Sequence, residues 1–137
     1  MGVQALKTIA DRGILPVINI ADERWAEPLA DALCRGGIPA LEVTLRSPGA
    51  LNAIKRIRQH FPQMSIGAGT VLKKQQADDA AAAGADYLGS PGFSAELVRY
   101  CQRIGMPIIP GCTGAGEIQA ALDCGLAGKT GNPHFML

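Results

Sequence analysis

Aromatic rings are scarce in this sequence: three Phe, two Tyr and one Trp make up 4% of its 137 residues. A core without rings must come from Ala, Leu, Ile and Val, which pack well as layers of helix and sheet. Net charge is as small. Thirteen Lys and Arg against 12 Asp and Glu leave +1, which argues against a nucleic-acid partner or a membrane-surface footprint. No apolar stretch approaches the roughly 18 residues of a membrane span. Residues 1–13 carry charges throughout and lack the basic, apolar and small segments of a secretory leader. Met1-Gly2 opens like an acylation signal, but Leu6 stands where Ser or Thr is required. A cytoplasmic protein is expected. Cys34, Cys101, Cys112 and Cys124 form no C-x-x-C pair, so reduced thiols are expected. His60 and His134 lack a ligand-spaced partner, and no metal is expected.

What is present is a repeat. Short apolar runs at residues 14–18, 39–45, 65–70, 86–90 and 107–110 read as strands. Amphipathic, Ala-rich stretches at 22–35, 47–60, 73–83, 94–104 and 113–124 read as helices, and residues 2–11 as a preliminary one. Asp22 and Ser47 (followed by Pro48) are expected as helix N-caps. Gly84, Gly105 and Gly125 stand where helices should stop. Trp25 is expected on a helix face in the packing layer. Every strand is followed by a helix, so the strands must be parallel. Units of about 21 to 26 residues suit a (β/α)8 TIM barrel or a doubly wound sheet.

The second strand favours the barrel. Leu41, Val43 and Leu45 face one way; Ala40, Glu42, Thr44 and Arg46 face the other. A central strand of a doubly wound sheet should be apolar on both faces. A barrel interior can hold polar groups that serve a site, and an edge strand with a solvated face is the alternative. Barrel sites gather at the C-terminal strand ends. Those ends offer Glu42, Thr44 and Arg46, then Gly69 and Thr70, then Ser90, Pro91 and Gly92, then Gly111, Cys112 and Thr113. Inside a barrel Glu42 would lose solvent, and its pKa would rise toward acid–base use, with Arg46 pulling the other way. A structural Glu–Arg pair is the alternative. Arg46 is suited to gripping a carboxylate or phosphate with two donors.

Two nucleotide-binding patterns fail on inspection. Gly125-Leu126-Ala127-Gly128-Lys129-Thr130 resembles a phosphate loop, but Asp123 stands where its first glycine belongs. Gly67-x-Gly69 has Leu72 in place of a third glycine.

Four ordered blocks, Leu41-Glu42-Val43-Thr44-Leu45-Arg46, Gly67-Ala68-Gly69-Thr70-Val71-Leu72, Ser90-Pro91-Gly92 and Ile109-Pro110-Gly111, resemble the bacterial KHG/KDPG aldolases. The resemblance runs from about residue 4 to Leu126. It implies a class I aldolase of carbohydrate metabolism, in the Entner–Doudoroff route, that cleaves 2-keto-3-deoxy-6-phosphogluconate to pyruvate and glyceraldehyde 3-phosphate. Cleavage of 4-hydroxy-2-oxoglutarate is a second activity that it allows. A barrel lysine forms an imine with the substrate ketone, so no cofactor is needed. On this resemblance Glu42 shuttles protons, Arg46 holds the pyruvate carboxylate and Thr70 contacts substrate. Thr44, Ser90, Pro91 and Gly111 complete the expected binding set. The partner is a small keto acid, and a homotrimer is implied.

The pattern breaks after Leu126. Residues 127–137 have no strand periodicity and read as a disordered tail on an N-terminal partial barrel of residues 1–126. The imine lysine should fall near Thr130. Lys129 is one residue early, which in a strand is a change of face; it is the candidate, with a mobile tail lysine as the alternative. Five βα units are fewer than the roughly 200 residues of a full barrel require. The expectation is a truncated or frameshifted chain, either active, or inactive and associating with other copies. A related pyruvate lyase acting on another keto-deoxy sugar acid is the remaining alternative.

Overall fold

The computed structural model describes residues 2–126. Lys129 and the 127–137 segment lie outside them. The elements run α1 (Gly2–Arg12), β1 (Val17–Ile18), a 3-10 turn (Glu23–Trp25), α2 (Ala26–Arg35), β2 (Ala40–Thr44) and α3 (Ala50–His60). They continue with β3 (Ser65–Gly69), α4 (Lys74–Ala83), β4 (Tyr87–Ser90), α5 (Ala95–Arg103), β5 (Ile108–Pro110) and α6 (Ala115–Asp123). The five strands form one parallel sheet in the order β1-β2-β3-β4-β5. Each new strand is laid beside the one before it, as in a barrel wall, with no reversal of direction. This is five βα units of a TIM-barrel type α/β fold.

The composition explains the packing. Leu41 and Val43 of β2, Ile66 and Ala68 of β3 and Leu88 of β4 are fully buried on the helix side of the sheet. The helices meet them largely with alanine: Ala26, Ala30, Ala53, Ala77 and Ala80 are all 0% exposed. Small side chains let the helix backbones lie close to the sheet, and Ile54, Ile57 and Val98 fill the remaining depth.

At the N-terminal ends of the strands, α1 touches β2, β3 and β4, with Ala5 buried against them. Arg58 of α3 is the fastener there. Its Nε donates to the Gly84 carbonyl (3.0 Å) and its Nη1 to the carbonyls of Pro62 (2.8 Å) and Met64 (3.1 Å). Its Nη2 meets Asp86 Oδ2, which also accepts the backbone N–H of Ile66 at 2.9 Å. Gly84 ends α4 with φ 98°, a left-handed turn that favours glycine, and a Cβ there would meet Arg58 Cγ at 2.9 Å.

Four expectations need correction. The first strand is short, because Pro16 has no N–H to give the ladder; it only accepts from Glu42 N (2.8 Å), and Ile14 is exposed. Asp22 does cap, accepting from Arg24 N at 3.0 Å, but it caps the 3-10 turn, not a helix over 22–35. Pro28 is tolerated only in a first helical turn, so α2 starts just before it, at Ala26. Ser47 is not the cap of α3: Gly49 holds that position, and the Ser47 hydroxyl donates to the Ile20 carbonyl at 2.5 Å. Trp25 is 67% exposed and lies outside the packing layer. Ser94 caps α5, accepting from Leu97 N at 3.3 Å.

Candidate active site

Glu42 sits in the middle of β2, opposite Val17 of β1 and Gly67 of β3. Pleating puts Ala40, Glu42 and Thr44 on the face away from the helices. Register extends that face to Gly67 and Gly69 of β3, Tyr87 and Gly89 of β4, and Ile109 of β5. It is the concave side that would line a barrel. β2 is an interior strand, buried along its whole length, so the solvated-edge alternative does not apply.

Glu42 is 4% exposed. Among the described residues, its Oε2 is buried with no hydrogen-bond partner. Burial pushes its carboxyl above the usual carboxylate range, and burial is the one cause. The expected opposing pull of Arg46 is absent, because Arg46 lies in the turn past the end of β2 and is exposed. Among the described residues no carboxylate forms an ion pair with Arg46, Glu42 included.

The C-terminal strand ends form a common rim. Leu45 N donates to the Gly69 carbonyl (2.8 Å), Val71 N to that of Gly89 (2.9 Å) and Gly111 N to that of Ser90 (2.8 Å). These bonds carry strand pairing one step past the sheet, so the loops after β2 to β5 leave side by side. Thr44, opposite Gly69, is buried and donates to the Ile18 carbonyl at 3.3 Å. Thr70 follows Gly69 on the rim, half-buried, with φ 62°. It is the one described residue other than glycine with positive φ. For a β-branched residue that conformation is strained, and such strain collects at functional sites.

Ser90 shares the parity of Leu88, and its hydroxyl donates to the Gly92 carbonyl at 2.8 Å. Pro91 is exposed, and its backbone carbonyl packs against Gly111, where a Cβ would meet the Pro91 carbonyl carbon at 2.9 Å. The fold thus gathers Thr44, Arg46, Thr70, Ser90, Pro91 and Gly111 at the C-terminal end of the sheet, with Glu42 two residues below Thr44. Glu42 and Thr44 lie on the concave face, and the others lie along the rim.

Sequence reasoning missed Tyr87. Its side chain is fully buried on the Glu42 face, and its hydroxyl donates to the Leu41 carbonyl at 3.3 Å. Burial first, then the charges of Glu42 and Asp86, push the phenol pKa far up, so it stays protonated. The signal was the alternation Tyr87, Leu88, Gly89, Ser90, which puts Tyr87 and Gly89 on the face opposite Leu88. Cys34, Cys101, Cys112 and Cys124 are free thiols. Among the described residues no helix is long and apolar enough to cross a membrane, and no three His, Cys, Asp or Glu side chains could share a metal ion.

Comparison with known proteins agrees with this geometry. Residues 5–130 match the family model for KDPG and KHG aldolase. The 2-dehydro-3-deoxy-phosphogluconate aldolase of Treponema pallidum is 46% identical over 114 residues, which cover 83% of this chain and 54% of that protein. The KHG/KDPG aldolase of Escherichia coli is 39% identical over 113 residues, covering 82% of this chain and 53% of that protein. The crystal structure of KDPG aldolase from Legionella pneumophila, with pyruvate captured at low pH as a covalent carbinolamine, superposes with a TM-score of 0.80. It is 43% identical, and the match covers 82% of this chain and 55% of that one. The chain therefore spans about half the length of the relatives it matches. On sequence, sheet order and likeness to solved structures alike, the chain belongs to the KDPG and KHG aldolase family.

Proposed function

We propose that this chain supplies the pyruvate end of a class I aldolase site acting on 2-keto-3-deoxy-6-phosphogluconate, with 4-hydroxy-2-oxoglutarate as a second substrate. The observation that carries the reading is Glu42: buried, with an oxygen that finds no donor and a raised pKa, beneath a rim bearing Arg46 and Thr70. A carboxyl in that state can hold a proton near neutral pH and return it. The carbinolamine captured in the Legionella relative supports an imine route.

In this reading Lys129 attacks the substrate ketone, and the carbinolamine loses water to give a protonated imine. The C3–C4 bond then breaks. Its electron pair flows into the imine to give an enamine, while the C4 hydroxyl gives up its proton and becomes the aldehyde of glyceraldehyde 3-phosphate. Protonation of the enamine carbon and hydrolysis of the imine release pyruvate and restore the lysine. Glu42 accepts and returns the protons of these steps, Arg46 pairs with the pyruvate carboxylate, and Thr70 and Thr44 border the same end. Ser90, Pro91 and Gly111 shape the adjoining rim. The test is borohydride trapping with pyruvate followed by peptide mass spectrometry. A reduced pyruvyl adduct on Lys129 is expected; no adduct on any lysine would remove the reading.

A second reading has its own observation. Val17, on the concave face, is 55% exposed at the β1 edge. Such a surface favours association with other copies, up to the trimer implied by the family resemblance. Size-exclusion chromatography across a concentration series, with the cooperativity of thermal unfolding, separates an associating partial barrel from a folded monomer.

A further inference from the structure

Glycine in the middle of a strand costs backbone entropy and leaves nothing to pack, unless something else needs the room. The concave face has two such positions, Gly67 and Gly89, and a third glycine, Gly69, at the end of β3. Gly67 makes room for the Tyr87 ring, whose Cζ and hydroxyl occupy the space a Cβ would take. The other two make room for Glu42. A Cβ on Gly69 would overlap Glu42 Oε1, and one on Gly89 would stand 2.8 Å from Oε2 and 2.9 Å from Oε1. The Glu42 carboxyl therefore lies across two neighbouring strands, against bare backbone, and is hidden from water without any donor to Oε2.

We propose that Gly89, together with Gly69, is a positioning residue for Glu42: the two bare backbones form a slot that holds the carboxyl flat across β3 and β4. The functional weight of the slot rests on the role given to Glu42 above, but the slot itself is a statement about packing and is tested without turnover. It explains how a carboxyl on a strand that faces a concave surface stays dry. An ordinary side chain at 89 would lift the carboxyl toward the open mouth of the sheet, where water would restore its usual acidity. Gly89 tests this better than Gly69, which adjoins the strained Thr70. Leu88 and Ser90, the neighbours of Gly89, have the opposite parity, so a methyl group added at 89 stands on the other face of the sheet from their side chains.

The experiment uses the full chain with carbon-13-labelled glutamate. The Glu42 carboxyl signal is assigned by its loss in Glu42→Gln, and its titration is followed in the parent and in Gly89→Ala. The midpoint in Gly89→Ala is expected to fall by about one unit or more. An unchanged or higher midpoint overturns the proposal. So does an equal fall in Gly116→Ala, where a Cβ meets open space. A second measurement, which holds even where Gly89→Ala folds poorly, compares its melting temperature with that of Gly89→Ala/Glu42→Ala. If the methyl group and the carboxyl compete for one slot, removing the carboxyl restores at least half of the lost melting temperature, or restores folding outright. A double variant as unstable as the sum of its single changes overturns the proposal. Failure of imine trapping leaves these readouts untouched, so the slot and the catalytic reading stand or fall separately.

Discussion

Glu42 destabilises the fold as the pH rises. Its folded-state pKa lies above the ordinary 4.5. Below that value both folded and unfolded chains hold the proton, and the group costs nothing. As the pH climbs from 4.5 through the folded-state value, the unfolded chain gives up its proton first, and stability is lost until the folded chain too carries the charge, which it must bury. Glu42→Gln should therefore melt with the parent near about pH 4 and be about 1 kcal/mol more stable near about pH 8, as read by denaturant titration at the two pH values. The same variant should lose about 10²- to 10⁴-fold in cleavage rate if Glu42 moves protons. Thr70 is the second residue whose role and fit pull apart. With φ 62°, Thr70→Gly should gain about 1 kcal/mol by relieving left-handed strain, while Thr70→Val keeps the strain and gains nothing. Both should weaken pyruvate capture in the trapping assay. Glu42 was legible in the sequence because alternation along residues 40–46 set it on the face opposite Leu41 and Val43. Its glycine slot was not, because which glycine faces which glutamate depends on register between strands, and register comes from the folded sheet.

Among the elements, the joint between α3 and the strands is the most exposed to single changes. Arg58 spans three backbone carbonyls and one carboxylate, with its side chain 20% exposed and that of Asp86 9% exposed. Asp86→Ala strands that guanidinium and frees Ile66 N, and should cost about 2–3 kcal/mol by chemical denaturation. Gly111→Ala presses a methyl group on the Pro91 carbonyl and should cost about 2 kcal/mol. It should also disturb the β4–β5 rim, seen as shifted amide resonances at residues 90–92. The helix stops at Gly84, Gly105 and Gly125 were readable from glycine spacing, and each of these glycines has positive φ. The Arg58 fastener was not readable: Arg58 lies 26 residues before Gly84 and 28 before Asp86, and nothing local marks their meeting. The same holds for Ser47, whose hydroxyl serves Ile20 instead of the helix beside it.

The whole sheet is five strands wide, with β1 and β5 at its margins. Burial follows that plan: Glu42 and Tyr87 in the middle of the concave face are hidden, while Val17 at one margin is 55% exposed. Val17→Lys should leave thermal stability within about 0.5 kcal/mol of the parent and move the size-exclusion profile toward the monomer. An unchanged profile would show that the concave margin plays no part in association. Barrel character was legible from one polar face on one interior strand, since a doubly wound sheet would have no use for Glu42 there.

The strand order has a consequence for how the chain is made. Each strand pairs with the one synthesised just before it, so contacts are mostly near in sequence and the sheet can grow from its trailing side as the ribosome releases it. The exception is α1. This helix, which precedes all five strands, touches β2, β3 and β4, and Gly2 packs against Pro107, just ahead of β5. It must wait until Pro107 has been made before its last contact exists. Nascent chains halted after β2 should therefore hold a paired β1–β2 ladder while residues 2–12 remain open to protease.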